Sequence, residues 1–369
     1  MIDDDPSERA RVLLDARPLQ GPDRLRGIGA YTRGLIEAMV AEGFGERLSL
    51  LLDGGLPDPA LPAVSKVHRV RRRYRGRLAA YEDAVALGSD LARIRPDAYH
   101  AVTLSLPGRS PCPLVVTLHD LIPWAWGGGG MSGERLRRWP GRRLLPRADM
   151  VLAVSGATAE DAVRLGRVAR ERIRIVHEGV EPVFRAAEGA AGRVAARWRV
   201  EAPYLLSVGA LDRRKDPAGL LQAWRAARRA GLEASLVTVG DPGAQAPRRM
   251  EGALSLGYVE EEDLADLYSA ATCLVFASRY EGFGLPVLQA MACGCPVVAY
   301  RNSSLPEVMG EAGVLVTDGD AEALGREAAL FGEPGRRAEA ARSGLERAAS
   351  FTWQAAARAT IAAYRDVLR

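Results

Sequence analysis

Cys273-Leu274-Val275-Phe276-Ala277-Ser278-Arg279-Tyr280-Glu281-Gly282-Phe283-Gly284-Leu285-Pro286-Val287-Leu288-Gln289-Ala290-Met291-Ala292-Cys293-Gly294-Cys295-Pro296-Val297-Val298 is the stretch that sets the architecture. An apolar β-type run, Cys273–Ala277, stops at a polar turn. A short helical pattern, Pro286–Ala292, follows, and a second apolar run opens at Pro296. Strand, helix and strand in this order form a βαβ unit, whose strands pair in parallel. Gly282 and Gly284 permit a tight turn whose amides can face a ligand. Pro286 suits a first helical turn, where its missing N–H is harmless. The helix dipole favours an anion at that end. Glu281 stands at the mouth of the turn, placed to accept hydrogen bonds from ligand hydroxyls.

The same alternation extends in both directions. Upstream of residue 179, apolar runs fall at Val12–Ala16, Leu48–Leu52, Ala98–Val102, Leu114–Leu118, Met150–Val154 and Ile173–Val176. Beyond it they fall at Tyr204–Val208, Leu236–Val239, Leu254–Leu256, Cys273–Ala277, Pro296–Ala299 and Val314–Val316. Continuous apolar runs of this length suit strands covered on both faces. Between them, Leu220–Ala230 and Asp263–Ala270 carry apolar residues at helical spacing. Two such series predict an α/β protein of two Rossmann-like domains. The boundary falls in Glu178–Ala202, which holds Gly179, Pro182, Gly189 and Gly192. The expected division is residues 1–180, residues 181–350, and a closing amphipathic helix in 351–369. Gly127–Gly130 reads as a loop.

With 369 residues, 48% of them apolar and 26% charged, the chain is long enough for two cores and needs no staples. Apolar runs stay well below the ~18 residues that span a bilayer. The start, Met-Ile-Asp-Asp-Asp-Pro, resembles no signal peptide, so a cytoplasmic location is expected. Cys112, Cys273, Cys293 and Cys295 read as reduced thiols, since C-x-C is too tight for usual zinc spacings. His68, His100, His119 and His177 form no ligand pattern, and no metal site is expected. The net charge of +4 is uneven: residues 1–178 carry 28 Arg/Lys against 22 Asp/Glu, and the remainder 22 against 24. Only Lys66 and Lys215 are lysines.

Two further motifs carry chemistry. Arg26-Gly27-Ile28-Gly29-Ala30-Tyr31 precedes a helical pattern, Tyr31–Val40, where amides could approach a phosphate. Thr32 stands where the third glycine of G-x-G-x-x-G would be, which argues against a dinucleotide oxidoreductase. Read alone, an ordinary tight turn explains the motif as well. Ser207-Val208-Gly209-Ala210-Leu211-Asp212-Arg213-Arg214-Lys215-Asp216 ends a strand with three cations. Ligands bind at such strand ends, and these cations could neutralise a diphosphate. On spacing alone a solvated charge run explains it better.

Together these segments resemble retaining glycosyltransferase family 4, which has the GT-B fold. The signature stretch is similar to the family's Glu-x7-Glu pattern: Glu281 matches the first Glu, and Gln289 replaces the second. R-G-I-G-A-Y-T at 26–32, H-D-L-I-P at His119–Pro123, Val154–Thr158, G-Y-V at Gly257–Val259 and N-S-S-L-P-E at Asn302–Glu307 also resemble family features. The resemblance implies two domains facing across a cleft, with the last helix crossing back to the first. It implies that Glu281 contacts the transferred sugar, while Gly282 and the amides of Phe283, Gly284 and Leu285 hold sugar hydroxyls and phosphate. Lys215 matches the diphosphate lysine, Arg214 replaces its arginine partner, and Arg213 stands in reserve. His119 is placed near the sugar, Gly29 under the diphosphate, and Tyr258 and Val259 beside the base. Gln289 takes the place of the ribose carboxylate. It offers one acceptor oxygen, and the lost charge-assisted bond costs ~1–2 kcal/mol.

The activity implied by the resemblance is that of a retaining hexosyltransferase, which needs no cofactor and takes a nucleotide diphosphate sugar. The first motifs resemble bacterial mannosyltransferases of polysaccharide or O-antigen synthesis. GDP-mannose is therefore the first donor expected and a UDP-hexose the second, with a glycan or lipid-linked acceptor. Asp3–Asp5 and Asp318–Asp320 spell D-x-D, but the first is a tail and the second a helix start. Arg69, Arg71, Arg72, Arg73, Arg75 and Arg77 near Tyr74, and Arg135, Arg137, Arg138, Arg142, Arg143 and Arg147 near Trp139, suggest peripheral contact with anionic lipid at the inner face of the plasma membrane. A solvated Arg-rich face explains them equally. No nucleic-acid module is readable. A donor-binding regulator and a GT-B sugar-nucleotide epimerase are the alternatives.

Overall fold

The computed structural model describes residues 9–21, 24, 27–74, 78–127, 132–240 and 253–369. Asp3–Asp5, Arg26, Arg75, Arg77 and Gly128–Gly130 lie outside the described residues. The chain divides into two compact units: residues through Gly179 joined by Thr352–Arg369, and Val180–Phe351.

The first unit has seven parallel strands: β1 (Val12–Asp15), β2 (Leu48–Asp53), β3 (Lys66–Val70), β4 (Ala98–Ala101), β5 (Leu114–Leu118), β6 (Met150–Ala153) and β7 (Ile173–Ile175). Their order is β3-β2-β1-β4-β5-β6-β7. On β1, Val12 and Leu14 join one apolar cluster and Leu13 the other. Successive side chains leave a strand on opposite faces, so a continuous apolar run is what a doubly covered strand requires. The Trp353–Leu368 helix packs on the Gly27–Ala41 helix, placing Trp353, Ile361 and Tyr364 in the first of these clusters. Thr352 caps it, accepting from the Ala355 amide.

The second unit has six parallel strands: β8 (Tyr204–Val208), β9 (Ser235–Val239), β10 (Ala253–Ser255), β11 (Cys273–Phe276), β12 (Val297–Tyr300) and β13 (Val314–Val316), in the order β10-β9-β8-β11-β12-β13. Both sheets reverse their winding once, between β1 and β4 and between β8 and β11. Open α/β sheets bind ligands beyond the carboxyl ends of strands at such a switch point. In the second unit those ends carry the Gly209–Lys215 and Ser278–Glu281 segments.

Three expectations change. Strand β3 is unforeseen: Lys66-Val67-His68-Arg69-Val70 is a largely exposed edge in which Lys66, His68 and Arg69 interrupt the two valines, so it shows no continuous apolar run. The Gly27–Ala41 helix begins four residues before the expected Tyr31, so Gly29 lies within its first turn and not in a loop ahead of it. Arg72 belongs to no solvated face; it is 6% exposed, with Nε 2.5 Å from Asp83 and Nη1 2.8 Å from Asp90.

Candidate active site

In the second unit, β8 ends at Gly209, whose φ is +126°. A Cβ there would lie 3.2 Å from Lys215 Nζ, so the glycine leaves room for the lysine to fold back beside the strand. Asp212 accepts hydrogen bonds from the Arg214 and Lys215 amides and winds the segment into a single 3-10 turn. Asp216 then caps the Pro217–Arg229 helix, accepting from the Gly219 amide. The turn delivers Lys215 inward, with Nζ 4.4 Å from the centre of the Phe276 ring at the end of β11.

Both cations converge on Glu281. Its Oε1 accepts from Lys215 Nζ at 2.6 Å, Arg214 Nη1 at 2.7 Å and Ser278 Oγ at 2.5 Å. Among the described residues, Oε2 accepts no hydrogen bond. Arg214 Nη1 also reaches the Tyr280 carbonyl at 2.7 Å. Burial alone would raise the Glu281 pKa. Arg214 and Lys215, with the hydrogen bonds from Lys215 and Ser278, outweigh it and hold the carboxyl down at about 2. Burial lowers the Lys215 pKa against the opposing pull of Glu281. The trio keeps one net positive charge, which suits an anionic ligand.

A second loop holds the carboxylate in place. After β12, Ser303 Oγ accepts the Glu281 amide at 2.8 Å. Ser304 Oγ donates to the Phe283 carbonyl at 2.6 Å, and Asn302 Nδ2 donates to the Ser278 carbonyl at 3.0 Å. The N-S-S segment thus fixes the turn that presents Glu281. Its sequence marks it as a motif without revealing this bracing role, and Ser278 was not among the expected site residues. The Leu285–Ala292 helix opens at Gly284, φ +112°, without a side-chain cap. Gly282 and Phe283 are buried and Leu285 half-buried.

The remaining expected residues are more scattered. Gln289 lies farther along that helix with Nε2 3.5 Å from Glu181 Oε2. Tyr258 is half exposed and bonds Glu260, whereas Val259 is buried. Arg213 is exposed and, among the described residues, has no ion-pair partner. Asp320 caps the Ala321–Leu330 helix as expected of a helix start. No group of three or more metal-ligating side chains occurs among the described residues.

In the first unit, His119 follows β5 and its Nδ1 lies 2.9 Å from Glu178 Oε1. The Tyr31 ring stands edge-on to its imidazole, centroids 4.6 Å apart. Gly29 is buried in the first turn of the Gly27–Ala41 helix. Among the arginines expected at a surface, Arg138 pairs with Asp120 and Arg142 donates to the Leu165 carbonyl. Leu136 and Trp139 remain exposed, with Arg143 over the Trp139 ring.

A doubly wound parallel sheet in each unit, with a buried cation-carboxylate cluster at the switch point of the second, has the outline of a GT-B protein. Residues 25–184 match Glycosyltransferase Family 4, and residues 202–330 match glycosyl transferases group 1. The chain belongs to glycosyltransferase family 4. It is 28% identical to the O-antigen chain mannosyltransferase B of Escherichia coli over 96% of this chain and 99% of that one. It is 25% identical to the serotype-specific mannosyltransferase WbdA of Escherichia coli, covering 97% of this chain but only 48% of WbdA. Among solved structures, sucrose-phosphate synthase from Thermosynechococcus elongatus shares the fold, with a TM-score of 0.77 at 23% identity over 97% of this chain and 99% of that one.

Proposed function

We propose that the protein transfers a hexose from a nucleotide diphosphate sugar to a glycan or lipid-linked acceptor with retention at the anomeric carbon. Mannose from GDP-mannose is the first donor and a UDP-hexose the second. The observation that carries this reading is the gathering of Lys215, Arg214 and Ser278 on one oxygen of Glu281. The second oxygen is then left to accept sugar hydroxyls, and the net positive charge to receive a diphosphate. The likeness to two mannosyltransferases supports mannose.

In this reading Arg214 and Lys215 oppose the charge that grows on the departing diphosphate. The start of the Leu285–Ala292 helix and the amides of Phe283, Gly284 and Leu285 add to that field. The bond from the anomeric carbon to the phosphate oxygen breaks. The acceptor oxygen attacks the same face, and its proton passes to the departing phosphate. Glu281 positions the sugar and is not the base. Tyr258 and Val259 flank the nucleotide base, Gln289 faces the ribose, and Gly29 and His119 of the first unit act on diphosphate and sugar. Arg213 serves as reserve cation.

The experiment is a thermal-shift panel of nucleotide sugars followed by product analysis. A donor at one hundred times its Kd stabilises by about 2.7 kcal/mol, a shift of roughly 5–10 °C. The expected product with GDP-mannose and an acceptor extract is an α-mannoside. Binding without turnover supports the regulator, and isomerised nucleotide sugar without acceptor supports the epimerase. No shift with any nucleotide sugar removes the assignment.

The acceptor, or the surface bearing it, is proposed to be anionic. The support is the exposed Leu136 and Trp139 beside Arg143. Sedimentation with vesicles containing about 30% anionic lipid checks it, at ~1 kcal/mol of attraction per basic residue near the surface. Salt-sensitive binding is expected, and its absence refutes this partner. No helix among the described residues is long and apolar enough to cross a membrane.

A further inference from the structure

Strands β5, β6 and β7 lie side by side, so their carboxyl ends open onto one edge of the first sheet. His119 follows β5 directly, and Glu178 stands three residues beyond β7. Fifty-nine residues separate them in sequence, yet Nδ1 and Oε1 are 2.9 Å apart. The Glu178 side chain is 4% exposed and that of His119 13%. A carboxylate oxygen only accepts, so the ring nitrogen facing it carries the hydrogen. The other ring nitrogen, Nε2, is buried and meets no hydrogen-bond partner among the described residues. One ring contact, a bond to the His119 backbone and a bond that anchors Tyr31 surround the imidazole. Tyr31 stands at 87° to it with centroids 4.6 Å apart, and the His119 carbonyl accepts from Thr158 Oγ1 at 3.3 Å. Tyr31 is in turn tied through its hydroxyl to Thr117 Oγ1 at 2.8 Å. A buried acceptor without a donor is costly unless a ligand supplies one.

We propose that Glu178 is a positioning residue that holds His119 in its Nδ1–H tautomer, so that Nε2 accepts a hydrogen bond from a sugar hydroxyl during transfer. The inference rests on the proposed glycosyl transfer and adds to it a residue that no motif indicated. The pairing is sharp because a neutral imidazole has two tautomers: with hydrogen on Nε2, the same nitrogen becomes a donor and the bond to the hydroxyl reverses. Gln at 178 can turn its NH2 toward Nδ1 and permit that reversal, whereas Asp retains an acceptor-only group.

The test combines kinetics with nitrogen-15 NMR of histidine side chains, assigned by loss of the His119 signal in His119→Ala. In the wild type, His119 shows hydrogen on Nδ1 and a bare Nε2. In Glu178→Gln the Nε2–H tautomer grows, and kcat/KM for transfer falls about tenfold, while Glu178→Asp recovers most of that loss. In the His119→Ala background, Glu178→Gln has no further effect, because Glu178 works through the ring. The two sources of the hydroxyl are separated by donor hydrolysis without acceptor: a parallel fall assigns it to the donor sugar, and unchanged hydrolysis assigns it to the acceptor. A wild-type Nε2–H tautomer overturns the inference. So does a less than twofold kinetic effect, or an undiminished effect of Glu178→Gln in the His119→Ala background. Lys215→Ala serves as reference. If it abolishes transfer while Glu178→Gln is neutral, only this inference fails. If Lys215→Ala is also neutral, the proposed function fails first.

Discussion

Glu281 and Lys215 are partners, yet removing one should act very differently from removing the other. Glu281→Gln leaves Arg214 and Lys215 buried together with no carboxylate between them. Breaking a buried pair from one side costs about 3–5 kcal/mol, because the stranded charge keeps its desolvation penalty. Lys215→Met strands nothing. Glu281 keeps Arg214 at 2.7 Å and Ser278 at 2.5 Å, and the Met side chain can occupy the lysine stem's place beside Phe276. The burial that lowers the Lys215 pKa disappears as a cost. Its stability change is therefore roughly 1 kcal/mol or less. Thermal unfolding reads the contrast: at about 2–4 °C per kcal/mol, Glu281→Gln loses roughly 6 °C or more and Lys215→Met about 4 °C or less. Activity does not follow stability. Lys215→Met loses about 10²–10³-fold in kcat, the scale for one preorganised electrostatic donor. The Glu281 pKa adds a pH signature. It falls from 4.5 to about 2 on folding, so its contribution is complete above pH 4.5 and is lost as pH falls toward 2. The gap between wild type and Glu281→Gln should be constant from about pH 5 upward and narrow below pH 4.5. Equal losses of thermal stability in the two variants, or an unchanged gap near pH 3, would refute the reasoning.

Two shorter predictions concern packing and donor affinity. Gln289→Glu sets a second carboxylate beside Glu181, whose Oε2 is 3.5 Å from Gln289 Nε2. Calorimetry should show tighter nucleotide binding, about tenfold per 1.4 kcal/mol, only when Glu181→Gln accompanies it; tightening by Gln289→Glu alone contradicts this geometry. Gly34→Ala should lower the melting temperature by roughly 2–12 °C, since an added Cβ overlaps the buried Trp353 ring and overpacking costs about 1–3 kcal/mol. An unchanged melting temperature would show that the closing helix shifts freely.

Much of the fold was legible because parallel strands covered on both faces must be apolar throughout. Twelve of the strands fall at the expected runs, the edge strands β7 and β10 being short and largely exposed, and β8, β5 and β13 match the expected bounds residue for residue. Edge strand β3 escaped because one of its sides meets water and its sequence carries Lys66, His68 and Arg69. The candidate site was legible in its types of residue: Glu281, Lys215 and Arg214 stand in local motifs that end β11 and β8. Their meeting on one carboxylate oxygen was not legible, because β8 and β11 become neighbours only through the sheet's strand order. The same holds for Ser303 bracing Glu281 and for Glu178 beside His119. Local sequence determines which side chains emerge from a strand end, since strand, turn and cap preferences act over a few residues. Which ends lie together is decided by packing whole helices and strands into one sheet, and only that assembly sets the hydrogen-bond partners of a buried polar group.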